Sequence, residues 1–172
     1  MHRAPLLRLV WCALGAAAGL GLAFALTPTT SAVFLASLGG STVFLFGVTR
    51  APAAQPRALF GGHLGAALIG ILGYQAFGES LWVYLLVEVV ALWVMLLSKT
   101  VHPPAGANPL IMVHGHATFA ALWQPVAVGV LSLAIVAVVW SRLYPGLSRY
   151  PISWLEPSPP STFWGGWSQL DE

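Results

Sequence analysis

Four long apolar runs constrain this chain more than any other feature. Each approaches the ~20 residues that an α-helix needs to cross the hydrocarbon core of a bilayer. Each is followed by polar, glycine or proline residues that end a helix. The runs are Leu6–Leu26, Leu59–Phe77, Leu81–Leu97 and Val126–Trp140. They predict an all-α fold, a polytopic helical bundle in a membrane.

The composition excludes a soluble domain. Hydrophobic residues make up 58% of the 172 residues and charged residues 7%, with a mean hydropathy of +0.80. Soluble domains carry about 25% charged residues, and disordered chains are polar and charge-rich. The single cysteine, Cys12, excludes a disulfide framework and a cysteine-based zinc site. We expect the lipid bilayer as a partner and no nucleic acid.

Two shorter apolar segments are interrupted by small or polar residues. The first, Ala32–Val48, is broken at Ser37 and at Gly39–Thr42, and the second leads from Pro103–Pro109 into Leu110–Val113. In each half a long helix, a broken segment, a Gln-Pro pair and a closing helix follow one another. This order is compatible with an inverted repeat of three segments plus three. Paired broken segments of this kind are typical of transporter binding sites.

The basic residues favour a topology in which both broken segments cross the membrane. With six crossings and a cytoplasmic N-terminus, all seven basic residues lie on the cytoplasmic side, as the positive-inside rule requires. With four crossings they are split between the two sides. The residues are Arg3, Arg8, Arg50, Arg57, Lys99, Arg142 and Arg149.

The chain divides into a transmembrane domain, residues 1–150, and a Pro/Trp-rich C-terminal tail, residues 151–172. The tail is expected to be extended and solvated, or to place Trp154, Trp164 and Trp167 at the headgroup level. No Arg/Ser-rich transit segment precedes the first run, which predicts the inner membrane of a bacterium.

Asn108-Pro109 has the pattern of a helix N-cap followed by proline at the first helical position. A helix beginning there would direct its free N–H groups toward Gly106–Asn108, and helix N-termini attract anions. Gly39–Thr42 has similar ingredients in the other half. The alternative is that both places are kinks where helices pack closely through small residues.

Three blocks resemble the HPP family of integral membrane proteins. They are Thr100–Ala107, which contains the His102-Pro103-Pro104 motif, Ala36–Ser41, and Ala54–Arg57 continuing to His63. Lys99 stands where we associate the family with glycine, and Asn108 where a small or hydroxyl residue is expected.

The resemblance implies a transporter or channel for a small inorganic anion, with nitrite as the first candidate, because relatives are implicated in nitrite transport. It gives no cofactor and no resident metal, and we do not expect an enzyme, since the chain has no phosphate-binding loop, nucleophile elbow or zincin motif. A homo-oligomer is compatible with the small size. The candidate substrate-binding residues are Ser37, Gly40, Ser41, Thr42, Arg57, His63, His102, Pro103, Pro104, Gly106 and Asn108.

Two other groups of residues leave alternatives open. If transport is coupled to protons, His102 and Glu88 are the expected carriers, because an acid inside a span is a functional candidate. A metal protein or membrane enzyme would instead need His63, His102, His114 and His116 in one place. A third alternative is a non-transporting assembly partner that uses the tail as its contact surface.

Overall fold

The computed structural model is helical and has no β-strand within residues 3–27, 35–144, 146 and 148–161, which are the residues it describes. The residues just after the first long run, 28–30, and the tail residues Trp164 and Trp167 lie outside these ranges. Within them the all-α prediction is confirmed.

Four helices are long and apolar enough to cross a membrane, as predicted. At 1.5 Å per residue the longer ones extend about 33 Å. They are α1 (Arg3–Leu26), α3 (Pro56–Phe77), α4 (Leu81–Ser98) and α6 (Val128–Leu143). A turn over Leu122–Ala127 precedes α6 and is kinked at Gln124, whose φ and ψ of −125° and 117° are not helical.

The two interrupted segments form short helices, also as predicted. Helix α2 (Ala36–Thr42) continues as a π-helical turn over Val43–Gly47. In the second half a 3-10 turn over Pro103–Ala107 leads into α5 (Asn108–His114). Seven residues of α5 extend only about 10 Å, and the helical stretch Ala36–Gly47 only about 18 Å. Neither is long enough by itself to cross the hydrocarbon core of a bilayer. The inverted relation between the halves stays a prediction.

Hydrogen bonds between distant residues show that the second interrupted segment passes through the bundle. The Arg57 guanidinium at the start of α3 donates to the Ser98 carbonyl at the end of α4, at 2.8 Å. At the opposite end, Glu79 between α3 and α4 contacts His116 just beyond α5, at 2.6 Å. The chain from Lys99 to His114 therefore crosses from one end to the other.

The first interrupted segment also runs along the bundle. Leu38 in α2 lies against Gly129 at the start of α6. Arg8 near the start of α1 and Arg50 after the π-helical turn line one cavity of about 480 Å³, together with Ser141 near the end of α6. The end of the bundle that carries these groups is called the basic end below. The six basic residues with described side chains lie there: Arg8, Arg50, Arg57, Lys99, Arg142 and Arg149.

Helix packing places α3 at the centre of the molecule. It contacts α4 and α5, whereas α1 packs mainly on α6, and α2 packs on the turn Pro103–Ala107. The two interrupted segments therefore meet inside the bundle.

The described part of the tail, residues 151–161, is bonded to the helices, so the expectation of a solvated segment is wrong there. Residues 148–161 together are named the strap below. Gln55, fully buried, accepts hydrogen bonds from the backbone N–H groups of Ile152 and Ser153. Ser158 bonds through its backbone to Lys99 and Val101, next to His102. Unpaired backbone groups on both sides gain partners by this docking.

Candidate functional site

A buried serine joins the two interrupted segments to α3. Ser41 Oγ in α2 lies 2.8 Å from His63 Nε2 in α3 and 2.9 Å from His102 Nε2 in the second segment. All three side chains are 0% exposed. Each residue belongs to a different one of the three blocks that carry the family resemblance. We call Ser41, His63, His102 and Asn108 the histidine cluster.

His102 is held by contacts on several sides. Its Nδ1 donates to the Ala53 carbonyl at 2.6 Å, and its ring lies 5.3 Å from the ring of Phe44 and 5.0 Å from that of His63. Gly62 in α3 lets the loop approach, because a Cβ there would be 2.9 Å from the Thr100 carbonyl oxygen. The glycine is thus required by close packing.

Asn108 completes the cluster, but not in the predicted way. Its backbone is already helical, at φ −62° and ψ −42°, and Ala107 occupies the N-cap position. The 3-10 turn runs directly into α5, so the N-cap prediction for Asn108 is wrong. Its Nδ2 instead lies 2.9 Å from His63 Nδ1 and donates to the His63 carbonyl at 3.0 Å. Asn108 Oδ1 is buried and has no hydrogen-bond partner among the residues that the structure describes.

The small residues of α2 pack against the second segment. A Cβ on Gly40 would lie 3.0 Å from Pro104 Cβ. Gly39–Thr42 lies inside α2 and not at its N-terminus, so the expectation of free N–H groups there is wrong. Helix-internal amides are bonded within the helix. The packing alternative accounts for this part of the pattern.

The remaining predicted site residues lie around the cluster and not in it. Thr42 Oγ1 bonds to Gly39 in its own helix, and Arg57 bonds to Ser98 and Leu155. Pro103 is exposed. Ser37 contributes its carbonyl, 3.1 Å from Ser41 Oγ.

Glu88 approaches the second segment at Gly106. A Cβ on this glycine would lie 3.6 Å from Glu88 Oε1, and Glu88 Oε2 is buried without a partner among the described residues. The lack of a side chain at Gly106 therefore lets a half-buried carboxyl group approach the loop that carries His102.

His114 and His116 form a separate group at the far end of α5. Glu79 contacts His116 Nε2 at 2.6 Å, His114 Nδ1 at 3.3 Å and the Tyr84 hydroxyl at 2.5 Å. Hydrogen bonds from Tyr84, His116 and His114 lower the pKa of Glu79 to about 2. The four histidines do not converge, and the described residues contain no group of three or more His, Cys, Asp or Glu placed to hold a metal.

Sequence reasoning missed two structural residues of the site. Gln55 was noticed only as part of a Gln-Pro pair, yet its side chain bonds to Thr49, Ala51 and the strap. The Ala53 carbonyl, which orients His102, has no side-chain signal at all. A lone glutamine between prolines beside a span could have drawn attention to Gln55, because a buried amide needs several partners.

Comparison with known proteins assigns the chain to a family. The model of the HPP transmembrane region matches residues 1–151. The chain belongs to the HPP transmembrane family. It is a multi-pass membrane protein, and the family resemblance seen in the sequence is confirmed.

Two transmembrane proteins of Dictyostelium discoideum are among its relatives. One is 30% identical over 128 residues, which are 70% of this chain and 41% of the relative. The other is 32% identical over 130 residues, 71% of this chain and 45% of the relative. The chain thus spans less than half the length of these relatives. No solved structure matches it.

Proposed function

We propose that this HPP protein moves a small inorganic anion, with nitrite the first candidate, across the membrane through the region of the histidine cluster. The observation that carries the proposal is the meeting of two interrupted segments at buried, ionisable side chains. Ionisable residues between spans are costly unless they are used, and interrupted helices are typical of transport sites.

The distribution of charge supports an anion. The six described basic side chains lie at one end, and Arg57 and Lys99 flank the segment that carries His102. A surface with one sign of charge, such as the basic end, raises the local concentration of ions of the opposite sign. The family resemblance favours nitrite within this class.

Transport is favoured over catalysis because the ring nitrogens of His63 and His102 are already bonded to the Ser41 hydroxyl, the Asn108 amide and the Ala53 carbonyl. The metal-protein alternative requires all four histidines together, whereas His114 and His116 lie at and just beyond the other end of α5. We further propose that the basic end faces the cytoplasm of a bacterial cell, in accord with the positive-inside rule.

Anion flux into proteoliposomes tests the proposal. Nitrite, nitrate, formate and chloride are compared for wild type, His102→Ala and His114→Ala. We expect saturable nitrite uptake by wild type and by His114→Ala, which alters an exposed histidine outside the cluster, and its loss in His102→Ala. Folded wild-type protein that moves none of the four anions would overturn the proposal.

A further inference from the structure

The proton positions in the histidine cluster follow from the backbone carbonyl at one end of it. His102 Nδ1 lies 2.6 Å from the Ala53 oxygen. A carbonyl oxygen only accepts, so Nδ1 carries the proton. In a neutral imidazole the other nitrogen is then an acceptor. Ser41 has one hydroxyl proton, and two acceptors lie in reach of it: His102 Nε2 at 2.9 Å and the Ser37 carbonyl at 3.1 Å. The Ser37 carbonyl already accepts the backbone N–H of Ser41 within α2, so we assign the hydroxyl proton to His102 Nε2.

The same reasoning fixes His63. The Ser41 proton is used on His102, so Ser41 Oγ accepts from His63 Nε2–H at 2.8 Å. His63 Nδ1 is then the acceptor, and Asn108 Nδ2 donates to it. The His63 carbonyl, 3.0 Å from Nδ2, fixes the orientation of this amide. With both rings neutral, all bonds run in one direction, from Asn108 to Ala53, and the cluster carries no charge.

The cluster can hold one additional proton. A proton that binds His63 Nδ1 needs an acceptor there, and a half-turn of the Asn108 amide supplies Oδ1, the buried atom that now has no partner. The rotation gives up the bond from Nδ2 to the His63 carbonyl. Once bound, the proton is shared: His63 Nε2–H passes to Ser41 Oγ while the Ser41 proton passes to His102 Nε2. No other group needs to turn.

The charged side chains on the surrounding elements are compatible with such a site. They are Arg50 before the Ala53 loop, Arg57 on α3, Glu88 on α4 and Lys99 at its end, with His114 at the distal end of α5. Gly106 belongs to the loop that carries His102, and the Glu88 carboxyl group of α4 lies beside this glycine.

We infer that the histidine cluster binds the proton that accompanies each anion, so that transport is electroneutral, one proton with one monovalent anion. This inference rests on the proposed function. An uncharged cluster cannot compensate a buried anion, and an uncompensated charge away from water is costly. With one proton bound, cluster and anion together are neutral. The proton arrives from and leaves to solution, and no bond of the anion changes.

Nitrogen-15 NMR of the histidines, with wild-type protein in lipid bilayers, tests the cluster without reference to transport. At neutral pH we expect neutral rings, His63 protonated on Nε2 and His102 on Nδ1. Acidification should then protonate the pair in one shared step. Asn108→Asp, which offers His63 Nδ1 an acceptor, should hold the pair protonated at neutral pH. The opposite tautomers, or two rings that titrate independently, would overturn the inference.

Flux measurements test the coupling. Wild-type nitrite uptake should follow the pH gradient and stay unchanged when a potassium gradient with valinomycin varies the membrane potential. Ser41→Ala should lose the pH-driven component. Ser132→Ala is the matched control, because its buried hydroxyl bonds only to Val128 in its own helix. Protein-free vesicles measure the leak of the protonated acid.

The possible failures are distinguishable. Nitrite uptake driven by the potential, without proton movement, would overturn the coupling and leave the proposed function standing. Absence of any anion flux from folded protein would overturn both.

Discussion

Lys99 occupies a backbone conformation that favours glycine. Its φ and ψ are 55° and 46°, and its N–H and that of Thr100 bond back to Leu96 and Met95, which closes the end of α4. Glycine is the usual residue at this position of a helix end, because a Cβ is unfavourable in the left-handed region. The left-handed conformation gives a physical reason for the glycine that the family resemblance predicts at this position.

Lys99→Gly is expected to raise the free energy of unfolding by about 1 kcal/mol, since a left-handed non-glycine residue costs about that much. Equilibrium unfolding in detergent micelles measures the change. Lys99→Ala removes the same charge but keeps the Cβ and should bring no such gain. Equal gains in both variants would show that charge, and not backbone conformation, is the cause.

Glu79 gives a pH-dependent contribution to stability. Its pKa in the folded protein is about 2, lowered by hydrogen bonds from Tyr84, His116 and His114, from an ordinary value of 4.5. A depressed carboxyl pKa stabilises the fold above the unfolded-state value, and the contribution is lost as pH falls through the folded-state value. We expect the Tm difference between wild type and Glu79→Gln to be constant above about pH 5. It should shrink between about pH 4.5 and pH 2. A difference that persists at pH 2 would contradict this.

Among the helices, α3 is the element on which the site depends. It presents glycines to its neighbours: Gly62 faces the loop of His102, and Gly70 faces α5. Small residues let helices approach closely in membranes, where dispersion contacts replace the hydrophobic effect. Proline and glycine determine the two ends of α3. Pro56 is tolerated in the first turn, where its missing N–H costs no helical hydrogen bond, and Gly78, with φ 72°, ends the helix.

Gly70→Ala is expected to destabilise the protein by about 1–3 kcal/mol, the usual cost of overpacking. Its Cβ would lie 2.6 Å from the Pro109 carbonyl oxygen and 2.7 Å from Pro109 Cα, and backbone cannot yield as a side chain does. Gly65→Ala in the same helix is the matched control, with nothing within 4 Å. Thermal unfolding in micelles should show a lower Tm for Gly70→Ala only. Equal behaviour of the two variants would argue against close α3–α5 packing.

On the scale of the whole molecule, the bundle separates its charges by end. The basic end gathers side chains from four long helices and the strap, while the opposite end carries Glu79 with two histidines. The positive-inside rule then assigns the basic end to the cytoplasm.

Cysteine labelling tests this orientation. In a Cys12→Ser background, Arg50→Cys should react with a membrane-impermeant maleimide only from the cytoplasmic side, and His114→Cys only from the opposite side. Both original side chains are exposed. The reverse pattern would invert the topology, and labelling of both positions from one side would contradict the passage of the second segment through the bundle.

The sequence by itself determined the helices, because length and apolarity decide which segments enter a bilayer, and proline and glycine decide where they end. It also pointed to Ser41, His63 and His102, since polar residues stand out in apolar runs. It misassigned Asn108 as an N-cap and the strap as a solvated tail. Local pattern does not show which distant group satisfies a side chain or a backbone amide.

Only the tertiary structure decided that Ser41 bridges two histidines, that Asn108 points to His63, and that Gln55 holds the strap. These contacts join residues far apart in the chain. Gly62 and Gly70 let the segment that carries His102 and Asn108 pack closely on α3. Buried polar groups take whichever partners that packing brings within reach, because leaving them unpaired is costly.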